Sequence, residues 1–375
     1  MDFKLSEQQN VLKSMVKELA LNQLEPNATR IDEEAEFPAE NVQKMKELML
    51  LGMTISPDFG GAGMDTVSYV VAMEELSKKC LSTAMVFFIQ NSLVAGTILR
   101  EGTQEQKAKW LPELASGAKL GAFGVEDSFT NESPLEARRD GDGWVLTGTM
   151  PMVFNAPDAQ TMVVCAKTGQ DEKKVLRSLF VLDMGADGVE PGNPEETMGI
   201  RGVRCAPVTF NDCKLGADSL IGEENKGDAL VDNTIRSANI PIAAAGVGIS
   251  QESLDQSISY SKERVQFGRP ISSFQAIQWK LVKMATEIES ARLLTYQAAV
   301  KADSGEDFSK EAAMARCFSS EMAAWAAVEA IQVHGGFGYT KEAVVERHFR
   351  DSRVLSILEG TAEGQKERIA GILLR

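Results

Sequence analysis

The chain has 375 residues, of which 43% are hydrophobic and 25% charged, with a formal net charge of -15. That length is enough for two or three domains sharing a sizeable core. The acidic balance excludes nucleic acid and anionic membrane surfaces as general partners, but leaves room for a local basic patch around an anionic ligand. Cys80, Cys165, Cys205, Cys213 and Cys317 are scattered and contain no C-x-x-C pair, which argues against a zinc site or a disulfide framework. The only histidines are His334 and His348, so any metal centre or catalytic triad would have to use one of them. No charged segment followed by an apolar run opens the chain, and no stretch reaches the roughly 20 apolar residues of a membrane span. A cytoplasmic protein without a membrane span is expected.

From residue 1 to 120 the pattern is helical. Leu5, Val11, Leu12, Met15, Val16, Leu19 and Ala20 repeat with helical period, and Pro38 opens another helix through Val42, Met45 and Leu48. Thr66 to Gln90 reads as one long buried helix. From 121 to 224 short runs rich in Val, Phe and Thr alternate with Gly, Asp and Pro turns. Trp144–Thr147, Met162–Cys165, Leu179–Leu182 and Val208–Phe210 are candidate strands, and Asp140-Gly141-Asp142-Gly143 is a hairpin signal. This segment predicts a small β-barrel or sandwich. From 225 to 375 the chain is helical again, with long patterns over 226–264, 272–303 and 309–334, a four-helix bundle with its last helix after Thr361. The fold class is α+β, in the order helical domain, β-domain, helical domain.

The chemistry concentrates in the last third. Arg264-Val265-Gln266-Phe267-Gly268 is followed by Phe274-Gln275, then by Gln332-Val333-His334-Gly335-Gly336-Phe337-Gly338, and finally by Leu358-Glu359-Gly360-Thr361. An arginine pairs a diphosphate well, and adjacent glycines let backbone N–H groups approach it closely. A general base needs a poorly solvated carboxylate with a raised pKa; Ile357 and Leu358 beside Glu359 are compatible with that, and so is a glutamate that complements the dipole of the following helix.

In this order and spacing the segments resemble the acyl-CoA dehydrogenase family, over essentially the whole chain. The resemblance implies an FAD-dependent oxidoreductase of fatty acid metabolism that removes an α-proton and a β-hydride from an acyl-CoA thioester. It assigns Glu359 as the base. It assigns Arg264, Gln266, Phe267, Gln275, Gln332, Gly335, Gly336 and Thr361 to the adenosine-diphosphate half of FAD, which in the family is held mainly by the neighbouring subunit. A homotetramer, built as a dimer of dimers, and an electron-transfer flavoprotein as redox partner follow from the same resemblance.

Three positions depart from the family pattern. Where the family has a threonine that bonds the flavin ring, the ungapped match has Glu126. The second ring-binding stretch reads Met152-Val153-Phe154-Asn155 between Pro151 and Pro157, so a hydroxyl is replaced at Phe154 and backbone donors are lost. The family's Asp-x-x-Arg, whose arginine supports the base loop and substrate, reads Arg236-Ser237-Ala238-Asn239. These departures leave three accounts: a dehydrogenase with a remodelled ring site, a non-redox acyl-CoA-binding homologue, or a flavin-poor subunit of a hetero-oligomer. Phe87, Phe88 and Leu93 are candidates for the floor of an acyl pocket.

Overall fold

The computed structural model describes residues 4–125, 134–172 and 174–374. Glu126 lies outside them. The first third is built from α1 (Glu7–Leu19), α2 (Glu25–Glu34), α3 (Ala39–Glu47), α4 (Thr66–Lys79), α5 (Leu81–Phe88), α6 (Gly96–Glu101) and α7 (Gln104–Ala115). Capping boxes start α1 at Ser6 and α7 at Thr103, and Asp65 caps α4. The expected single helix from Thr66 to Gln90 is instead broken at Cys80, whose extended backbone (φ -151°) ends α4 and starts α5. Beyond the break, α5 passes through a π-helical stretch, Ile89–Ala95, into α6. The run Leu81–Glu101 is apolar and long enough to cross a membrane, yet its most apolar window is wholly buried within the protein. It is the central helix of the core.

The middle third contributes β1 (Gly121–Gly124), β2 (Leu135–Asp140), β3 (Gly143–Phe154), β4 (Thr161–Asp171), β5 (Lys174–Asp183), β6 (Val189–Pro191), β7 (Cys205–Leu215) and β8 (Leu220–Ile221). They form one mixed sheet in the order β6-β7-β3-β2-β4-β5-β8, with β1 parallel to β4. The Asp140–Gly143 turn makes the β2–β3 hairpin as its sequence predicts. Strands β4 and β5 are buried on both faces. Met162, Val164, Phe180 and Leu182 join Trp144, Met150 and Phe210 in the sheet's own core, while Val163, Cys165, Leu179 and Val181 pack into the helical core. This alternation welds the sheet to the helices and explains why these strands read as continuous apolar runs.

The last third holds α8 (Gly227–Glu263), a hairpin of β9 (Val265–Gln266) and β10 (Arg269–Pro270), α9 (Gln275–Asp303), α10 (Ser309–His334), α11 (Val344–Ser352) and α12 (Ala362–Leu373). The three long helices fall where the periodicity put them. Close packing is made by small residues: a Cβ on Gly246 would stand 2.3 Å from Ser319 Oγ on α10, and one on Gly248 would stand 2.3 Å from the Glu74 carbonyl on α4. Arg350 ties α11 to α2 through two bonds to the Asp32 carboxylate, at 2.7 and 2.6 Å, and is flanked by Glu346 on its own helix.

Candidate active site

Glu359 sits in the loop that joins α11 to α12. A turn of 3-10 helix, Arg353–Ser356, ends where the Ile357 and Leu358 amides donate back to the Val354 carbonyl. The next two residues both adopt left-handed backbone, Glu359 at φ 50° and Gly360 at φ 97°. Glycine tolerates this freely, whereas a glutamate held there costs about 1–2 kcal/mol. Thr361 then caps α12, its hydroxyl accepting from the Gly364 amide at 3.1 Å.

The loop is held by a residue that the sequence reading did not single out. Arg316, on α10, is fully buried. Its Nη1 donates to the Glu359 carbonyl at 3.0 Å and to Asn239 Oδ1 at 2.9 Å. Its Nη2 donates to the carbonyls of Leu358 and Gly360. Asn239 in turn donates to Gln365 of α12 at 2.8 Å. Three helices thus converge on the base loop: α8 through Asn239, α10 through Arg316 and α12 through Gln365. The sequence signal for Arg316 is an arginine directly after the apolar run Ala312–Ala315, in a largely buried stretch of α10. Arg236, by contrast, turns to the start of α10, with Nη1 3.3 Å from Ser309 Oγ and its guanidinium over the Phe308 ring.

Glu359 and Arg316 shift each other's protonation. Burial pushes the Glu359 carboxyl up to about 7, with the Arg316 cation opposing the rise. The same burial brings Arg316 down to about 10, with Glu359 holding it up. The Cys205 thiol is raised to about 12 by burial first, and then by the charges of Glu195 and Glu359. Cys205 is the register partner of Phe154 across the β3–β7 pair. The altered ring-binding stretch and the base loop are therefore neighbours. At the end of β3, Asn155 takes left-handed backbone (φ 68°) and donates its side-chain amide to the Gly121 carbonyl at 2.9 Å, while its own Oδ1 is buried without a partner. Pro151 stands at an irregularity of the β3–β7 register between Met150 and Val153.

A second locus lies at the junction of α8 and α10. A cavity of about 680 Å³ is lined by Arg264, Gln266, Gly335 and Gly336 together with Tyr260, His334 and Phe337. The His334 ring stacks on Tyr260 at 4.4 Å, and Tyr260 is nearly parallel to Phe337 at 5.8 Å. Gly335 has φ 61° and ψ -141°, a backbone state open essentially to glycine alone, and a Cβ on either glycine would meet open space. An arginine, glycine backbone and aromatic faces around an open cavity suit a nucleotide diphosphate. Phe267, Gln275 and Gln332 are exposed beside this cavity rather than in its lining, and Phe267 is 92% exposed. Glu359 and Phe154 do not line it either.

The other expectations resolve simply. Phe87, Phe88 and Leu93 are buried in the helical core, with Phe87 edge-on to Tyr69. His348 is buried against Ser253 Oγ at 2.9 Å, and burial holds it well below the usual histidine range. Among the described residues no group of His, Cys, Asp and Glu is placed to hold a metal.

The fold is a mixed sheet set between two helical domains, with a buried arginine gripping the Glu359 loop. The chain matches the family descriptions "Acyl-CoA dehydrogenase, N-terminal domain" over residues 6–118, "middle domain" over 126–213 and "C-terminal domain" over 225–374. It is 40% identical to the bovine mitochondrial short-chain specific acyl-CoA dehydrogenase, over 99% of this chain and 91% of that protein. The butyryl-CoA dehydrogenase of Megasphaera elsdenii superposes with a TM-score of 0.96 at 34% identity, over the whole of both chains. A chain from the solved electron transferring flavoprotein of Acidaminococcus fermentans also superposes at 0.96, with 36% identity and full coverage of both. The protein belongs to the acyl-CoA dehydrogenase family, flavoenzymes acting on CH–CH bonds. Full-length relatedness to working dehydrogenases disfavours the flavin-poor and non-redox alternatives.

Proposed function

We propose that the protein is a cytoplasmic, FAD-dependent dehydrogenase of short-chain acyl-CoA thioesters, with Glu359 as its base. The observation that carries this reading is a glutamate in the loop before α12 whose carboxyl is desolvated up to about 7 beside a buried arginine. Family relatives named for short-chain and butyryl substrates support the chain length.

Bound FAD supplies the two-electron acceptor for the β-hydrogen. Arg264, Gln266, Gly335 and Gly336 would hold its diphosphate half in the 680 Å³ cavity. Phe267, Gln275 and Gln332 are exposed outside that lining, and Thr361 caps α12 beside Glu359. Ring-side contacts would come from the Phe154–Asn155 stretch at the end of β3. A carboxylate oxygen of Glu359 accepts the α-proton of the thioester. Near neutral pH about half of the Glu359 population is ionised, which matches a base to its working pH.

The diphosphate cavity and the Glu359 loop do not share a lining within one protomer. A flavin spanning two subunits accounts for that separation, and the exposed apolar side chains of Val265, Phe267, Trp279, Val282 and Tyr339 give the subunits a surface to share. A homotetramer built as a dimer of dimers fits such a shared site. An electron-transfer flavoprotein is the proposed acceptor.

The test is anaerobic mixing of the FAD-loaded protein with butyryl-CoA while following the flavin visible band. The band should bleach in the wild type and persist in Glu359→Gln. Full bleaching by the variant would remove Glu359 from the reaction, and a protein that retains no FAD would remove the redox reading.

A further inference from the structure

We propose that Arg316 and Asn239 form a relocated clamp that aims the Glu359 carboxylate and tunes its proton affinity, making Arg316 the positioning residue of the reaction. The inference rests on the reading of Glu359 as base.

The family pattern places an arginine for this task on the helix equivalent to α8. Here that position is Asn239, and the guanidinium arrives from α10 instead. The exchange is complementary at the atomic level. Asn239 is too short to reach the loop as an arginine would, but its Oδ1 accepts from Arg316 Nη1 at 2.9 Å and its Nδ2 grips Gln365 at 2.8 Å. The guanidinium fork then spans three consecutive carbonyls, those of Leu358, Glu359 and Gly360. Three adjacent carbonyls converge on one point only if the chain curls around it. The left-handed backbone of Glu359 and Gly360 provides that curl. A lysine, with a single ammonium, lacks the planar fork that bridges such a turn.

The charge has a second role. Among the described residues, Glu359 is the carboxylate that holds the Arg316 guanidinium charged, while the direct hydrogen bonds of that guanidinium go to carbonyl oxygens. Among the described residues, the groups coupled to Glu359 are Arg316 from α10 and the Cys205 thiol from β7, on which the Glu195 carboxylate also acts; Asn239 of α8 and Gln365 of α12, bonded to each other beside Arg316, are uncharged. Arg236 is engaged by Ser309 and Phe308, and Lys366 by Glu321. Arg316 is therefore the cation available to stabilise the ionised base.

Three variants separate aim from charge: Arg316→Lys, Arg316→Gln and Asn239→Asp. Each is prepared as the FAD-loaded full chain and assayed against butyryl-CoA from pH 5.5 to 9. A second readout needs no turnover: the infrared C=O band of protonated Glu359, assigned by its loss in Glu359→Gln and titrated in the cofactor-stripped protein. Arg316→Lys keeps the charge but loses the fork, so the titration midpoint should stay near that of the wild type while kcat falls about a hundredfold, as misaimed groups do. Arg316→Gln removes the charge and should move the midpoint upward by about one pH unit or more. Asn239→Asp places a carboxylate on the guanidinium and should move the midpoint upward too, without removing a buried side chain. Should Arg316→Gln fail to fold, Asn239→Asp carries the same test. An unchanged midpoint in folded Arg316→Gln or Asn239→Asp, or wild-type kcat in Arg316→Lys, overturns the proposal. A Glu359→Gln enzyme that still bleaches its flavin overturns the reading of the base instead, so the two failures are distinguishable.

Discussion

Replacing Glu359 with Gln should make the protein more stable at alkaline pH and leave it unchanged at acid pH. The sign follows from linkage. In the unfolded chain the carboxyl titrates near 4.5, and in the folded protein burial raises it to about 7. Between those values the folded state holds a proton that the unfolded state has released, so stability falls as pH rises through the window. Glu359 destabilises the fold most fully above pH 7 and not at all below 4.5. At about 1.4 kcal/mol per pH unit over the gap, the cost reaches at most about 3 kcal/mol. Glutamine is isosteric and uncharged, so it removes the cost. With an unfolding entropy near 2.1 cal/mol/K per residue for a chain of this length, about 3 kcal/mol corresponds to a rise of roughly 4 °C in melting temperature. The assay is differential scanning calorimetry of wild type and variant, both stripped of ligand, at pH 4.5 and at pH 8 with one scan rate. Asp351, which burial raises to about 6, contributes a slope of the same sign to both proteins and cancels in the difference. A difference that is the same at both pH values, or a variant less stable at pH 8, refutes a desolvated base.

Three other outcomes follow from the geometry. Gly335→Ala meets no steric obstacle, but its backbone state costs about 1–3 kcal/mol for any residue with a Cβ, so FAD retention on gel filtration should fall while the isolated fold persists. Arg350→Ala leaves the Asp32 carboxylate partly buried without its partner, which should cost about 3–5 kcal/mol and lower the denaturant midpoint. Thr361→Ala removes the cap of α12 and should cost about 1 kcal/mol, read as faster amide exchange in the first turn of that helix.

The helix–sheet–helix order was legible because each segment carries its own period. The Asp140–Gly143 turn and the three long C-terminal helices lie where pattern alone puts them. The break at Cys80 was not, since Lys78-Lys79-Cys80 contains neither glycine nor proline to signal it. At the site, Glu359 was legible only through the motifs around it, since its apolar neighbours and the helix start fit a dipole-complementing glutamate equally well. Arg316 could not be read as its partner, because 43 residues separate them and only the packing of α10 against the loop joins them. The departures at Phe154 and Asn239 are visible in sequence as losses. The structure shows what stands beside each: an unpartnered Asn155 oxygen near the first, and a guanidinium from another helix bonded to the second.

The balance at Glu359 depends on two opposed terms that neither residue sets alone. Burial without Arg316 would lift the carboxyl further above 7 and leave it protonated, unable to accept a proton at neutral pH. A solvated carboxylate near the loop surface would be ionised but about 2 units weaker as a base. Arg316 can supply its charge only because it is itself desolvated, and being desolvated it must spend its donors on carbonyls rather than water. The base loop provides those carbonyls by curling through two left-handed residues. The strained backbone of Glu359, the buried cation and the raised pKa are thus one arrangement, and a change to any of the three should be felt in the other two.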